Sequence, residues 1–128
     1  NAEGVAQLRA WLTPHGYTVL EVAIDRALHL KSAITLIRDG DAPAVLFNPA
    51  WIDASFLGDV ERHEVDPTEP FAGNALLIGD TLIVPEAFVR TRARLENRGI
   101  AVRSVPASEL AKAEGGVTCC SLVFDVVA

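Results

Sequence analysis

The sequence predicts an α/β (α+β) fold assembled from a repeated ββαβ unit, and three observations predict it. Short apolar segments with strand-like alternation are broken by Gly, Pro and Asp at turn positions. The order strand, turn, strand, Pro, helix, strand occurs twice, and the matching prolines, Pro49 and Pro85, stand 36 residues apart. That period lies in the range of about 20–50 residues that marks repeat architectures. Half of the 128 residues (50%) are hydrophobic, enough for one compact core and too few residues for two domains. One such unit cannot bury its apolar faces alone.

The elements follow in order. Asn1 is a good N-cap with Glu3 in the turn behind it, and Val5, Leu8 and Leu12 recur on one helix face until Pro14 and Gly16 stop the helix. Tyr17 to Val22 reads as a strand. Ser32 to Arg38 alternates as a strand, Asp39-Gly40-Asp41 turns the chain, and Ala44 to Phe47 is the next strand. Pro49 opens a short helix over Ala50 to Leu57, and Val60 to Val65 is a strand stopped by Asp66-Pro67. The pattern then returns. Asn74 to Ile78 and Thr81 to Val84 flank a Gly79-Asp80 turn. Pro85 opens a helix whose arginines, Arg90, Arg92, Arg94 and Arg98, face mainly water, and Gly99 ends it. Ile100 to Val105 is a strand, Ser108 to Ala113 a short helix, and Thr118 to Val127 a last strand after the Gly115-Gly116 break. The chain opens on a bare helix and strand and closes on a lone strand, as a slice through a longer repeat protein would. The absence of Met, with Asn1 first, adds to the expectation that it was cut from something longer.

Charge and cysteine usage narrow the partners. The net charge of −6 and isoelectric point near 4.9 argue against a general nucleic-acid binder, which needs a basic face. No apolar run approaches the ~18 residues of a membrane span. No basic, apolar leader opens the sequence, and two adjacent cysteines, Cys119 and Cys120, are no disulfide framework. On a strand they would point to opposite faces and bridge poorly. A reducing, cytoplasmic setting is expected.

Three groups could carry chemistry. Two glycines before Cys119 let the backbone approach a ligand, and a thiol there can project into a pocket as a nucleophile. From spacing alone the reading of both cysteines as small buried fillers is the favoured one, since a Cys pair by itself carries no activation. His29 lies between Leu28 and Leu30 and suits acid/base work near neutral pH, or a hydrogen-bonded place in the core. His15 and His63 read as surface residues, and Asp66 and Glu69 as loop charge. Asp25, Glu114 and Asp125 are nearby carboxylates in sequence, and nothing in the sequence pairs one with His29. His29 and Cys119 are too few ligands for zinc, and no dinucleotide, P-loop or C-x-x-C motif occurs.

Leu28-His29-Leu30-Lys31-Ser32, Gly73-Asn74-Ala75-Leu76 with Gly79-Asp80-Thr81-Leu82-Ile83-Val84-Pro85, and Gly115-Gly116-Val117-Thr118-Cys119-Cys120-Ser121 form an ordered set. That set resembles the histidine segment, late hairpin and nucleophile segment of the dimethylarginine dimethylaminohydrolases, and Asn1-Ala2-Glu3-Gly4 is similar to a further family segment. The resemblance covers nearly the whole chain but only the C-terminal half of the family's length. It implies a pentein fold, a propeller of five ββαβ units, with residues 1–128 as the C-terminal portion of one such domain, roughly half the propeller. It implies cofactor-free hydrolysis of Nω-methylated arginine, a small cationic guanidino substrate, to citrulline and a methylamine. By position it makes Cys119 the nucleophile, His29 the general acid/base, Ala113 the residue whose carbonyl meets the substrate, and Cys120 a non-catalytic neighbour. The family's guanidinium-gripping and histidine-orienting carboxylates come from the N-terminal half. The isolated chain is therefore expected to be inactive unless that half or a homo-oligomer completes the site, with no nucleic acid and no membrane involved. An arginine deiminase-like hydrolase, and a non-catalytic α/β interaction module with Cys119 as a packed thiol, are the alternatives.

Overall fold

A computed structural model describes residues 1–24 and 26–124. Two three-stranded sheets repeat one topology. In the first, β1 (Ile34–Arg38) pairs antiparallel with β2 (Ala44–Phe47), and β2 pairs parallel with β3 (Glu61–Glu64). In the second, β4 (Leu76–Ile78) pairs antiparallel with β5 (Thr81–Pro85), and β5 pairs parallel with β6 (Ala101–Val105). The hairpin-then-crossover order that the proline spacing predicts is thus present twice.

The crossovers differ. The second is a helix, α3 (Val89–Glu96), which buries Thr91 and Leu95 one turn apart and ends before Gly99, whose φ of 77° suits a residue without Cβ. The first holds only a turn and a 3₁₀ segment, Ala54–Leu57, where a helix from Ala50 is expected. Asn48 and Asp53 explain this. Their side chains bond the backbone N–H groups of Ala50 and Ser55 and so compete with helix formation.

The core sits between the two units. Ile37, Leu46, Val65, Leu82, Val84 and Leu95 form one buried cluster spanning both sheets and α3. Each such side chain contributes about 1.5–3 kcal/mol relative to exposure. A second cluster, Ala33, Phe47, Ile52 and Ala54, lies under the 47–57 connection, with Trp51 packed against it. Trp51 meets Phe71 edge to face, ring centroids 5.0 Å apart. The joint is buttressed by the Thr35 hydroxyl, which donates to the Gly73 carbonyl at 2.8 Å.

The ends depart from the sequence pattern. Helix α1 (Ala2–Leu12) forms as expected, its Asn1 side chain accepting the Gly4 N–H at 2.9 Å, but it contains no buried residue. Residues 17–22, expected as a strand, pair with no strand among the described residues. Ser32 and Ala33 fall in a four-residue helix, α2 (Leu30–Ala33), so β1 begins at Ile34. A last helix, α4 (Ser108–Lys112), is followed by a turn at residues 117–120, where a strand from Thr118 was expected. The Cys120 N–H donates to the Gly116 carbonyl at 3.2 Å, a local closure that an extended strand lacks. Residues 125–127 of that expected strand lie outside the described residues. No helix of the described residues is long and apolar enough to cross a membrane.

Candidate active site

Three segments converge around Asn74. The first carries His29, which occupies the N-cap of α2 in extended conformation (φ −125°, ψ 143°). Its imidazole is exposed and makes no hydrogen bond among the described residues. Leu28 and Leu30 beside it are 86% and 42% exposed, so flanking leucines do not place this histidine in a core.

The second segment is the 3₁₀ turn Pro70–Gly73 and Asn74. A Cβ on Gly73 would stand 3.1 Å from the Ser32 and Ala33 carbonyl oxygens, so this backbone lies directly against α2. Asn74 itself is buried.

The third segment carries Cys119. Helix α4 closes at Ala113, Glu114 takes a left-handed φ of 57°, and Gly115 N–H returns to the Leu110 carbonyl at 2.9 Å. Ala113 is exposed, and its carbonyl accepts no hydrogen bond among the described residues. The turn then lies on Asn74. The Asn74 Oδ1 accepts from the Thr118 hydroxyl at 2.7 Å and from the Thr118 N–H at 3.3 Å. The Asn74 Nδ2 stands 3.9 Å from the Cys119 Sγ. A Cβ on Gly116 would come within 2.5 Å of the Asn74 amide, a distance no side chain tolerates. Cys119 and Cys120 are both free and both exposed, which corrects the reading of either as a buried filler.

His29 and Cys119 share no direct hydrogen bond among the described residues; the segments that carry them meet through Gly73, against Ser32 and Ala33, and Asn74, against Cys119. The sequence places Asn74 at the start of a strand and in the hairpin segment of the resemblance, and gives it no role at the site; the strand observed begins at Leu76. A buried amide is not singled out by composition or spacing. Of the carboxylates near these segments, Glu114 is exposed, and Asp25 and Asp125 lie outside the described residues.

Other polar residues serve the scaffold, in three cases against the sequence reading. His63 is buried, not superficial, with Nε2 2.8 Å from Glu61 Oε1. Glu61 also pairs with Arg38, and the Arg38 contact, more than His63, holds its carboxyl below the usual range. Asp66 is buried rather than loop charge. The Thr68 hydroxyl and N–H hold its carboxyl below the usual range, and Arg94, 2.8 Å away, adds to this. Glu69 caps α3, accepting the Arg90 and Thr91 N–H groups at 2.9 and 2.7 Å. Arg90, Arg94 and Arg98 are exposed, as a solvated face requires, and the last two border a cleft of about 500 Å³ with Arg62 and Asn97. None of the three converging segments lines that cleft. Among the described residues no group of three or more His, Cys, Asp or Glu is placed to hold a metal ion.

Comparison with known proteins gives this geometry a context. No protein-family model matches the chain. The chain is 31% identical over 124 residues to the N(G),N(G)-dimethylarginine dimethylaminohydrolase of Pseudomonas aeruginosa, covering 97% of this chain and 48% of that protein. It is 36% identical over 122 residues to that of Streptomyces coelicolor, covering 95% and 45%. The chain thus spans about half the length of the curated relatives it matches. The solved Pseudomonas aeruginosa enzyme, a cysteine-to-serine mutant complexed with citrulline, superposes with a TM-score of 0.78 at 29% identity, over 97% of this chain and 48% of that one. The N-terminal domain of a cyanobacterial arginine dihydrolase shares the fold at 22% identity, with a TM-score of 0.73 over 93% of this chain and 45% of that one. By sequence and by fold, the chain is similar to about half the length of the dimethylarginine dimethylaminohydrolases.

Proposed function

We propose that this chain supplies the nucleophile and the general acid/base of a cysteine-dependent hydrolase of Nω-methylated arginine. The observation that carries the reading is the exposed Cys119 thiol on a glycine-built turn, in a chain that matches these hydrolases over nearly all its residues. Of the solved relatives, one bound to citrulline carries a cysteine-to-serine change, and one holding S-methyl-L-thiocitrulline carries a histidine-to-glycine change. Those two residue types are the ones assigned here.

The chemistry follows from the guanidinium. Its charge is delocalised, so its central carbon is a poor electrophile until a strong nucleophile is held against it. The Cys119 thiolate attacks that carbon, the C–N π electrons move onto nitrogen, and a tetrahedral adduct forms. Protonated His29 gives its proton to the departing methylamine, and collapse leaves an S-alkylthiouronium on Cys119. Neutral His29 then takes a proton from water, and the hydroxide attacks the same carbon. The C–S bond breaks as the adduct's hydroxyl loses its proton to solvent, releasing citrulline and the thiolate. The Ala113 carbonyl, which accepts no hydrogen bond among the described residues, is an acceptor for a substrate N–H.

The guanidinium's donors also require carboxylates. In this reading they come from the N-terminal half of the family's length, in the same polypeptide or a second copy, completing a five-unit propeller of which this chain forms about half. The reading makes the chain alone inactive. The protein expressed from its own gene is the one to assay, with dimethylarginine and arginine as separate substrates and citrulline as the readout. Citrulline from dimethylarginine, abolished by Cys119→Ser, is expected. Citrulline from arginine alone would reassign the substrate. No citrulline from either by a gene product of the relatives' full length, or turnover that survives Cys119→Ser, would overturn the reading and favour an interaction module. The exposure of Cys119 already counts against that module's packed thiol.

A further inference from the structure

We propose that Asn74 is a positioning residue for the Cys119 thiol, pinning its turn through Thr118 and aiming an amide N–H at its sulfur. For its catalytic consequence the proposal rests on the hydrolase reading; for its effect on thiol reactivity it does not. A backbone N–H can only donate, and the Thr118 N–H points at the Asn74 side chain at 3.3 Å. The atom facing it must therefore be the amide oxygen, which the Thr118 hydroxyl also engages at 2.7 Å. With that oxygen committed, the NH₂ group faces the Cys119 Sγ, 3.9 Å away, within the longer reach of an N–H···S contact. The amide occupies the space that a side chain at Gly116 would fill, and Asn74 is buried.

The other side of Asn74 is equally constrained. Its own N–H donates to the Phe71 carbonyl at 3.1 Å, and Gly73 sits on the backbone of α2, the helix that His29 caps. One short segment thus touches both the histidine-bearing and the cysteine-bearing stretches. A donor aimed at sulfur sets the direction of its lone pairs and so fixes where the nucleophile points. Cys120 makes no hydrogen bond with Asn74 among the described residues and is an internal control.

The test uses the protein expressed from its own gene and two variants. Asn74→Asp keeps an oxygen for Thr118 and puts a negative oxygen where the N–H was. Thr118→Val removes the hydroxyl donor alone. Iodoacetamide alkylation near neutral pH is followed separately on Cys119 and Cys120 by peptide mass. Loss of a hydrogen bond to a charged group corresponds to a slowing of about tenfold or more. For Asn74→Asp that slowing is expected at Cys119 and not at Cys120, with a native circular dichroism spectrum. Thr118→Val is expected to slow Cys119 less. With dimethylarginine, kcat falls in Asn74→Asp while KM holds. Unchanged Cys119 alkylation in a folded Asn74→Asp protein, or a raised KM at constant kcat, overturns the proposal. If the parent makes no citrulline, the hydrolase reading falls, and the alkylation comparison still decides the role of Asn74. If Asn74→Asp does not fold, Thr118→Val decides it: a parent rate at Cys119 overturns it, and a selective loss there supports it.

Discussion

At Gly116 the molecule leaves no space for a methyl group. The new Cβ of a Gly116→Ala variant would overlap the Asn74 amide, which is itself held by Thr118 and cannot swing aside without losing both bonds. Either the turn or the amide moves. Such overpacking costs roughly 1–3 kcal/mol, and a lower urea midpoint with slower Cys119 alkylation is the expected result. The glycine pair was readable in sequence as a place of close backbone approach, and it is one; what approaches it is an asparagine 42 positions earlier in the chain. Contacts of that range leave no periodic trace. Likewise His63 looked superficial between charged neighbours, yet its strand turns it inward onto Glu61. Charge within a strand says little about which face a given residue takes.

At the scale of elements, α3 shows what a sequence pattern omits. Its N-cap residue, Phe88, offers no side-chain acceptor, so two of its first N–H groups are satisfied from outside by Glu69. A Glu69→Ala variant should lose about 1 kcal/mol, within the usual range for a lost cap, read as a lower midpoint in chemical denaturation. Strands β2, β4, β5 and β6 were legible because they combine branched apolar residues with clear turn signals. Residues 17–22 and 118–124 carry equally good strand composition and form none, because a strand exists only beside a partner. Composition proposes a strand, and pairing decides it. The helix expected from Ala50 failed for a different reason, since Asn48 and Asp53 offer the backbone local alternatives.

Across the whole molecule, acid sensitivity has a definite sign. Asp53, held low mainly by the Ser55 N–H, Glu61, held low mainly by Arg38, and Asp66, held low mainly by the Thr68 hydroxyl, all keep their charge to lower pH when folded than when unfolded. Their contribution is complete above the ordinary carboxylate range and is lost as pH falls through and below it. Stability measured by urea titration should therefore drop on acidification below that range. Asp66→Asn should flatten the drop, and an unchanged acid limb in that variant would refute the assignment. The repeat was legible in two prolines; the way its copies meet, over Ala33, Thr35, Gly73 and Ala75, was not. The edge-to-face pair at that meeting line has an optical consequence. Trp51 is half-buried against Phe71, whereas Trp11, the other tryptophan, is 67% exposed. Any event that parts the two halves of the core wets one indole and leaves the other as it was. With Trp11 replaced by phenylalanine, emission from Trp51 becomes a built-in gauge of whether the seam beneath Asn74 is shut.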